Sequence, residues 1–174
     1  MKNRSARGKR SQAGIRSSLI FIVCLASFAF LLVWMLQNRS AVACLQTAVA
    51  RLTSLVLNLF GNRTQVVGHT VVSSRFNLEV ITACTGLYTV TVFLSAVIAY
   101  PSRFLAKLIG VGYCIVGISL LNVIRLASLF YIGVYFPGFL ERAHLVIWQS
   151  LIIVFSLFLW LLWAEKVAHA SYKR

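Results

Sequence analysis

Apolar residues in this chain come in long unbroken runs, and polar residues collect in the gaps between them. Residues 17–36, SSLIFIVCLASFAFLLVWML, carry no charge. A helix of about 20 residues crosses the ~30 Å hydrocarbon core of a bilayer, so this run predicts a first span. A cleaved signal peptide is the rival reading, but its apolar region is only about 7–15 residues and ends at a small-residue cleavage site. A retained helix is the better fit.

The next runs differ in kind. In 41–60, AVACLQTAVARLTSLVLNLF, the polar residues Gln46, Arg51 and Asn58 interrupt the apolar ones. Leu45, Val49, Leu52, Val56 and Leu59 recur at helical spacing. That pattern predicts an amphipathic helix, interfacial or packed on a bundle. Residues 61–82 alternate roughly and hold Val, Thr and Phe, which predicts one or two short strands with turns at Gly68 or Ser73–Ser74. Open strands belong outside lipid, where water can satisfy their backbone.

A second span is expected over 84–100, stopped by Pro101. The apolar stretch 108–136 is longer than a bilayer is thick, so the third span, 106–126 with an extension to 136, must tilt, kink or emerge. Pro137 and Gly138 break it. The last span is 144–164, with Trp148, Trp160 and Trp163 toward its ends like an aromatic belt. The whole predicts an all-α integral membrane protein with about four spans, an interfacial amphipathic helix and a short extracytoplasmic β-like segment. Residues 17–164 form one transmembrane domain with an outer segment at 37–83. A disordered basic tail at 1–16 and a second tail at 165–174 flank it.

Composition supports this reading. Of 174 residues, 60% are hydrophobic and 11% charged, against about 25% charged in soluble domains. A soluble fold would lack the polar residues to cover its surface. The net charge of +14 does not indicate nucleic acid, because the basic residues sit at the ends of apolar runs rather than on one face. Four spans place both termini on one side. The segments on that side carry eleven Lys or Arg, and those on the other carry six. The positive-inside rule then makes the termini cytoplasmic.

This topology brings three distant residues to the outer face at similar depth. Arg125 interrupts the third span, where a guanidinium costs roughly 2.5–3.5 kcal/mol at the centre, so it marks a functional site unless it snorkels to headgroups. Asn122 lies three residues earlier on the same helical face, or is simply glue between helices. Cys84 sits in ITACTGLY at the start of the second span, where the positive end of a helix dipole favours thiolate. Taken alone, it is a small packing residue. His144 opens the last span and alone could be an interfacial anchor. Together, Cys, His and Arg suffice for transpeptidation: a nucleophile, an acid/base near neutral pH, and a cation for the oxyanion. Glu79 is a weaker candidate to orient the imidazole. His69 falls in the outer segment and His169 on the opposite side. The cysteines Cys24, Cys44, Cys84 and Cys114 form no metal-ligand spacing; no metal or cofactor is expected.

ACTG at 83–86, NVIR at 122–125 leading into LAS, and His144 opening the last span resemble the Cys, Arg and His motifs of exosortases and archaeosortases. The resemblance covers about residues 79–164. It implies a polytopic cysteine protease or transpeptidase that cleaves C-terminal sorting signals: a short motif, a transmembrane helix and a basic tail. It further implies Cys84 as nucleophile, Arg125 as oxyanion or substrate stabiliser and His144 as acid/base. Many exosortases have more spans; this chain is similar to short subfamilies such as exosortase H. The expected setting is a bacterial inner membrane with the site facing the periplasm, and the partners are a protein substrate and lipid. Gly110, Gly112, Gly117 and Ser119 are expected to let a substrate helix approach the third span. Two other classes fit the composition. A non-enzymatic scaffold or assembly subunit would tolerate Cys84→Ala. A small transporter fits less well, lacking an inverted repeat or an acid within a span.

Overall fold

The computed structural model describes residues 2–168, with side chains over 18–167. Helix α1 (Lys2–Gln37) starts inside the segment expected as a disordered tail. Lys, Arg, Ala and Gln are good helix formers, and lengthening an existing helix avoids the nucleation cost. α1 packs along α3 (Leu87–Ala99). Its Leu19, Ile22, Val23, Phe30 and Trp34 point outward and exposed, an arrangement that suits lipid.

Asn38 caps α2 (Arg39–Leu59), its side chain accepting from the Ala41 N–H at 3.3 Å. The packed face of α2 is Val42, Ala50, Thr53, Ser54 and Leu57. Of the stripe expected to bury it, Leu45, Val49 and Val56 are half-buried, with Val49 packed on the core, while Leu52 and Leu59 are exposed. The packed face is therefore shifted around the helix from that stripe and takes in Ala50, Thr53 and Ser54, small or polar residues of the kind that mediate helix contacts in apolar surroundings. Ser54, Asn58 and Thr64 form a closed network that ties α2 to the first strand: Ser54 Oγ to Thr64 Oγ1 at 2.8 Å, and the Thr64 N–H and Oγ1 to Asn58 Oδ1 at 2.8 and 2.9 Å.

The outer segment forms three antiparallel strands, one more than the alternation suggested: β1 (Thr64–Val67), β2 (Thr70–Ser73) and β3 (Leu78–Glu79), in the order β1-β2-β3. Gly68, at φ +62°, makes the two-residue turn that pairs Val67 with Thr70. β3 is too short to give a period. A 3₁₀ turn, Thr82–Thr85, follows, and Gly86 at φ +78° ends it and begins α3.

α3 is 13 residues long, or ~20 Å, shorter than the span expected over 84–100. Gly86 cuts it at one end. At the other, Tyr100 is extended before Pro101, as the proline ring requires. α4 (Phe104–Tyr135) is 32 residues long, or ~48 Å, and its last turns emerge to support the sheet. A 3₁₀ turn at Pro137–Phe139 and the short α5 (Leu140–Arg142) lead to a π-helical segment, Ala143–Trp148, and then α6 (Gln149–Trp163). At about 100° per residue, Ala143 and Ile152 would face opposite sides of a regular helix. Both are buried, because the wider π turns rotate the run between them. Among the described residues four helical runs are long and apolar enough to cross a membrane: Ser18–Gln37, Arg39–Leu59, Phe104–Tyr135 and Pro137–Val167. The chain is thus an all-α membrane protein bearing a small sheet.

Two cores result. One, between α3, α4 and α6, contains Phe93, Val97, Cys114, Ile118 and Trp163. Trp163 donates to the Ala106 carbonyl at 2.7 Å. The other joins α2 and the sheet to the far end of α4 through Leu57, Val71, Val80, Leu126, Leu129 and Phe130. Of the small residues expected to receive a substrate helix, Gly110 and Gly117 serve the first core instead. A Cβ on Gly110 would stand 2.8 Å from Trp163 Nε1, and one on Gly117 would collide with Leu159. Gly112 faces open space.

Candidate active site

Arg125 stands ~30 Å along α4 from Phe104, and His144 stands ~30 Å from Trp163, which is fastened beside Ala106. Both therefore reach one level, about a hydrocarbon thickness from the Trp163 end. The Thr82–Thr85 turn brings Cys84 to the same level. Cys84 Sγ lies 3.3 Å from His144 Nε2, and Arg125 Nη2 lies 2.8 Å from that same nitrogen. The three residues expected to share a face are in direct contact.

Cys84 lies on the turn, outside the helices. Its N–H donates to the Ile81 carbonyl at 2.8 Å, and its carbonyl accepts from Asn122 Nδ2 at 2.5 Å. The nucleophile candidate is thus anchored on both sides of its backbone. Burial raises the Cys84 thiol above its ordinary pKa, while the Arg125 charge and a backbone hydrogen bond at Ile81 pull it down. The thiol therefore rests protonated and needs a base beside it.

Arg125 and Asn122 are almost fully buried, at 2% and 4% exposure. No carboxylate pairs with this guanidinium; among the described residues the one such contact is His69 with Glu79, at 3.3 Å. Arg125 Nε and Asn122 Oδ1 have no partner. A buried cation without a counter-charge is costly, and its field favours whatever negative charge develops nearby. Since a guanidinium only donates, its bond to His144 Nε2 requires a lone pair there. The neutral imidazole then carries its proton on Nδ1, and its one Nε2 lone pair is shared between Arg125 and the thiol.

A cavity of about 300 Å³ opens beside Cys84 and His144. Phe76, Leu126, Leu129 and Leu140 give it apolar walls, and Glu79 and Glu141 also line it. Glu79 reaches the cavity but bonds His69 rather than His144, so it does not orient the imidazole as expected. Its strand places it opposite Thr70, next to the hairpin turn that carries His69. His169 lies outside the described residues. Glu141 was missed by sequence reasoning. The available signal was its rarity, since the chain has three acids and two line this cavity. Among the described residues no group of three or more His, Cys, Asp or Glu gathers as a metal site would require.

A thiol, an imidazole and a buried guanidinium in this order can form and break an acyl–sulfur bond. A family model described as transmembrane exosortase matches residues 11–164. No curated protein and no solved structure matches the chain.

Proposed function

The chain belongs to the transmembrane exosortase family, and we propose that it is a cysteine transpeptidase or protease that cleaves C-terminal sorting signals of exported proteins. The observation that carries this reading is the convergence of Cys84 Sγ and Arg125 Nη2 on one atom, His144 Nε2.

The chemistry follows from that shared atom. His144 Nε2 takes the thiol proton, and the thiolate attacks the scissile carbonyl. Once Nε2 is protonated it no longer accepts from Arg125. The guanidinium is released from the ring as negative charge appears on sulfur and then on the carbonyl oxygen, and it turns to that charge. Asn122 keeps Cys84 in place through its carbonyl. The imidazolium next gives its proton to the departing amine, and the tetrahedral species collapses to a thioester on Cys84. An amine or water completes the cycle.

Depth supports the membrane setting. The site lies at the end of the ~30 Å apolar zone remote from the basic 101–107 loop, so we place it on the periplasmic face of a bacterial inner membrane, with both termini cytoplasmic. α2 fits this arrangement. Gln46 Nε2 reaches Thr82 Oγ1 at 3.5 Å, and Asn62 Nδ2, in the loop that follows α2, reaches the Tyr131 hydroxyl at 2.7 Å. The helix thus packs at the site end and beyond it, as an interfacial element does. The substrate is an exported protein whose own C-terminal helix sits in the bilayer beside the enzyme.

Trapping tests the mechanism. Purified enzyme mixed with such a precursor and quenched in acid should carry the substrate's acyl mass on the peptide containing Cys84. Precursor cleavage with no acyl mass on any cysteine would sink the thioester.

A further inference from the structure

Resting on the cysteine mechanism above, we infer that Glu141 selects a protonated amine as the acceptor that resolves the thioester, so that the protein is built for transfer rather than hydrolysis.

The argument starts from scarcity. The chain carries 17 Lys or Arg and three acids, yet Glu79 and Glu141 both line the cavity that holds Cys84 and His144. Glu79 is engaged with His69. Glu141 forms no ion pair among the described residues, although Arg142 is its chain neighbour. Arg125 is buried behind His144 at one end of the cavity, and Glu141 sets a carboxylate without an ion-pair partner on the wall, where it favours a cation at its own side.

Position separates the acceptor from the leaving group. Glu141 lies three residues before His144, and residues at that spacing share a helical face. It lies on the side of His144 away from Trp163, toward the sheet and solvent. The leaving peptide carries the substrate's membrane helix and departs toward the bilayer. A group held by Glu141 approaches from the opposite side, next to the imidazole that must take its proton.

The proton balance closes. An ammonium bound at Glu141 gives one proton to the carboxylate, which passes it to solvent. The free amine attacks the thioester carbonyl of Cys84. His144 Nε2 takes the second proton as the carbon–nitrogen bond forms. The carbon–sulfur bond then breaks to give an amide and a thiolate. The imidazolium returns its proton to sulfur, restoring the thiol and neutral ring. Water brings no positive charge and so gains no ionic attraction from Glu141.

The experiment uses the full chain in liposomes with a cleavable precursor and two competing amines in one tube. Glycinamide is largely protonated near neutral pH, and hydroxylamine is largely neutral there. Mass spectrometry reads the ratio of the two capture products, so a change in overall turnover cancels. An exposed ion pair is worth up to about 1 kcal/mol, or about fivefold in that ratio. Glu141→Gln should lower the glycinamide share about fivefold, Glu141→Asp should largely restore it, and rising salt should erode the wild-type preference. An unchanged ratio in Glu141→Gln overturns the inference while leaving the cysteine mechanism intact. Capture that persists in Cys84→Ala would overturn that mechanism, and this inference with it.

Discussion

Asn122 Nδ2 donates to the carbonyl of Cys84 at 2.5 Å, so the backbone that carries the thiol is fastened to the helix that carries Arg125. The two residues are 38 positions apart. Nothing else from α4 bonds the Thr82–Thr85 turn among the described residues, and the turn itself is only four residues long. The tie between the nucleophile's turn and α4 therefore depends on this one amide.

Asn122→Ala should loosen the turn. It leaves the Cys84 carbonyl buried and unpartnered, at a cost of about 1–3 kcal/mol. Precursor processing should fall at least tenfold while the protein still accumulates in the membrane. Asn122→Asp, which removes the donor but keeps the shape, should behave alike. Processing rates with membrane-fraction blots check both, and wild-type processing in either variant would remove Asn122 from the site.

Arg125→Lys should fail as a replacement. An ammonium keeps the charge but not the planar fork, and it cannot hold Nε2 and then swing to an oxyanion with the same geometry. A loss of about 100-fold in processing is expected, in line with removal of an oxyanion donor. Retention of more than a tenth of wild-type activity would show that charge alone suffices.

Alkylation of Cys84 should depend on pH in a stated direction. Burial raises its thiol pKa, so little thiolate exists near neutral pH, and the thiolate fraction grows only as pH rises past the ordinary thiol range. Reaction with iodoacetamide should lag behind that of the exposed Cys44 at pH 8 and approach it in stronger base. Mass spectrometry of the two peptides gives both rates. Faster labelling of Cys84 at pH 8 would mean that Arg125 outweighs burial.

The glycines on α4 should separate sharply. Gly110→Leu drives a side chain into Trp163 and Val97, and overpacking of this sort costs about 1–3 kcal/mol. Gly112→Leu meets open space and should be neutral. Thermal unfolding in detergent compares them, and equal midpoints would contradict the packing described for the first core.

Much of this was legible in the sequence because the bilayer imposes it. Run lengths gave the helices, and topology put Cys84, Arg125 and His144 at one level. Three things were not legible. The shifted packed face of α2 depends on what surrounds Leu52 and Leu59, which no periodicity records. The π-helical segment at Ala143–Trp148 has no local signature, yet it turns His144 toward α4. Glu79 and Glu141 differ only by a neighbour, His69, that becomes adjacent through strand pairing. Each depends on contacts between segments rather than on the residues of one segment.

The most direct test replaces each cysteine in turn and follows precursor processing in cells. The substrate is a co-expressed protein ending in a short motif, an apolar helix and a basic tail. Cys84→Ala should leave the precursor uncut while the enzyme accumulates normally, and Cys24→Ala, Cys44→Ala and Cys114→Ala should process it as wild type does. Normal processing by Cys84→Ala would contradict the cysteine mechanism and leave a non-enzymatic membrane scaffold in its place.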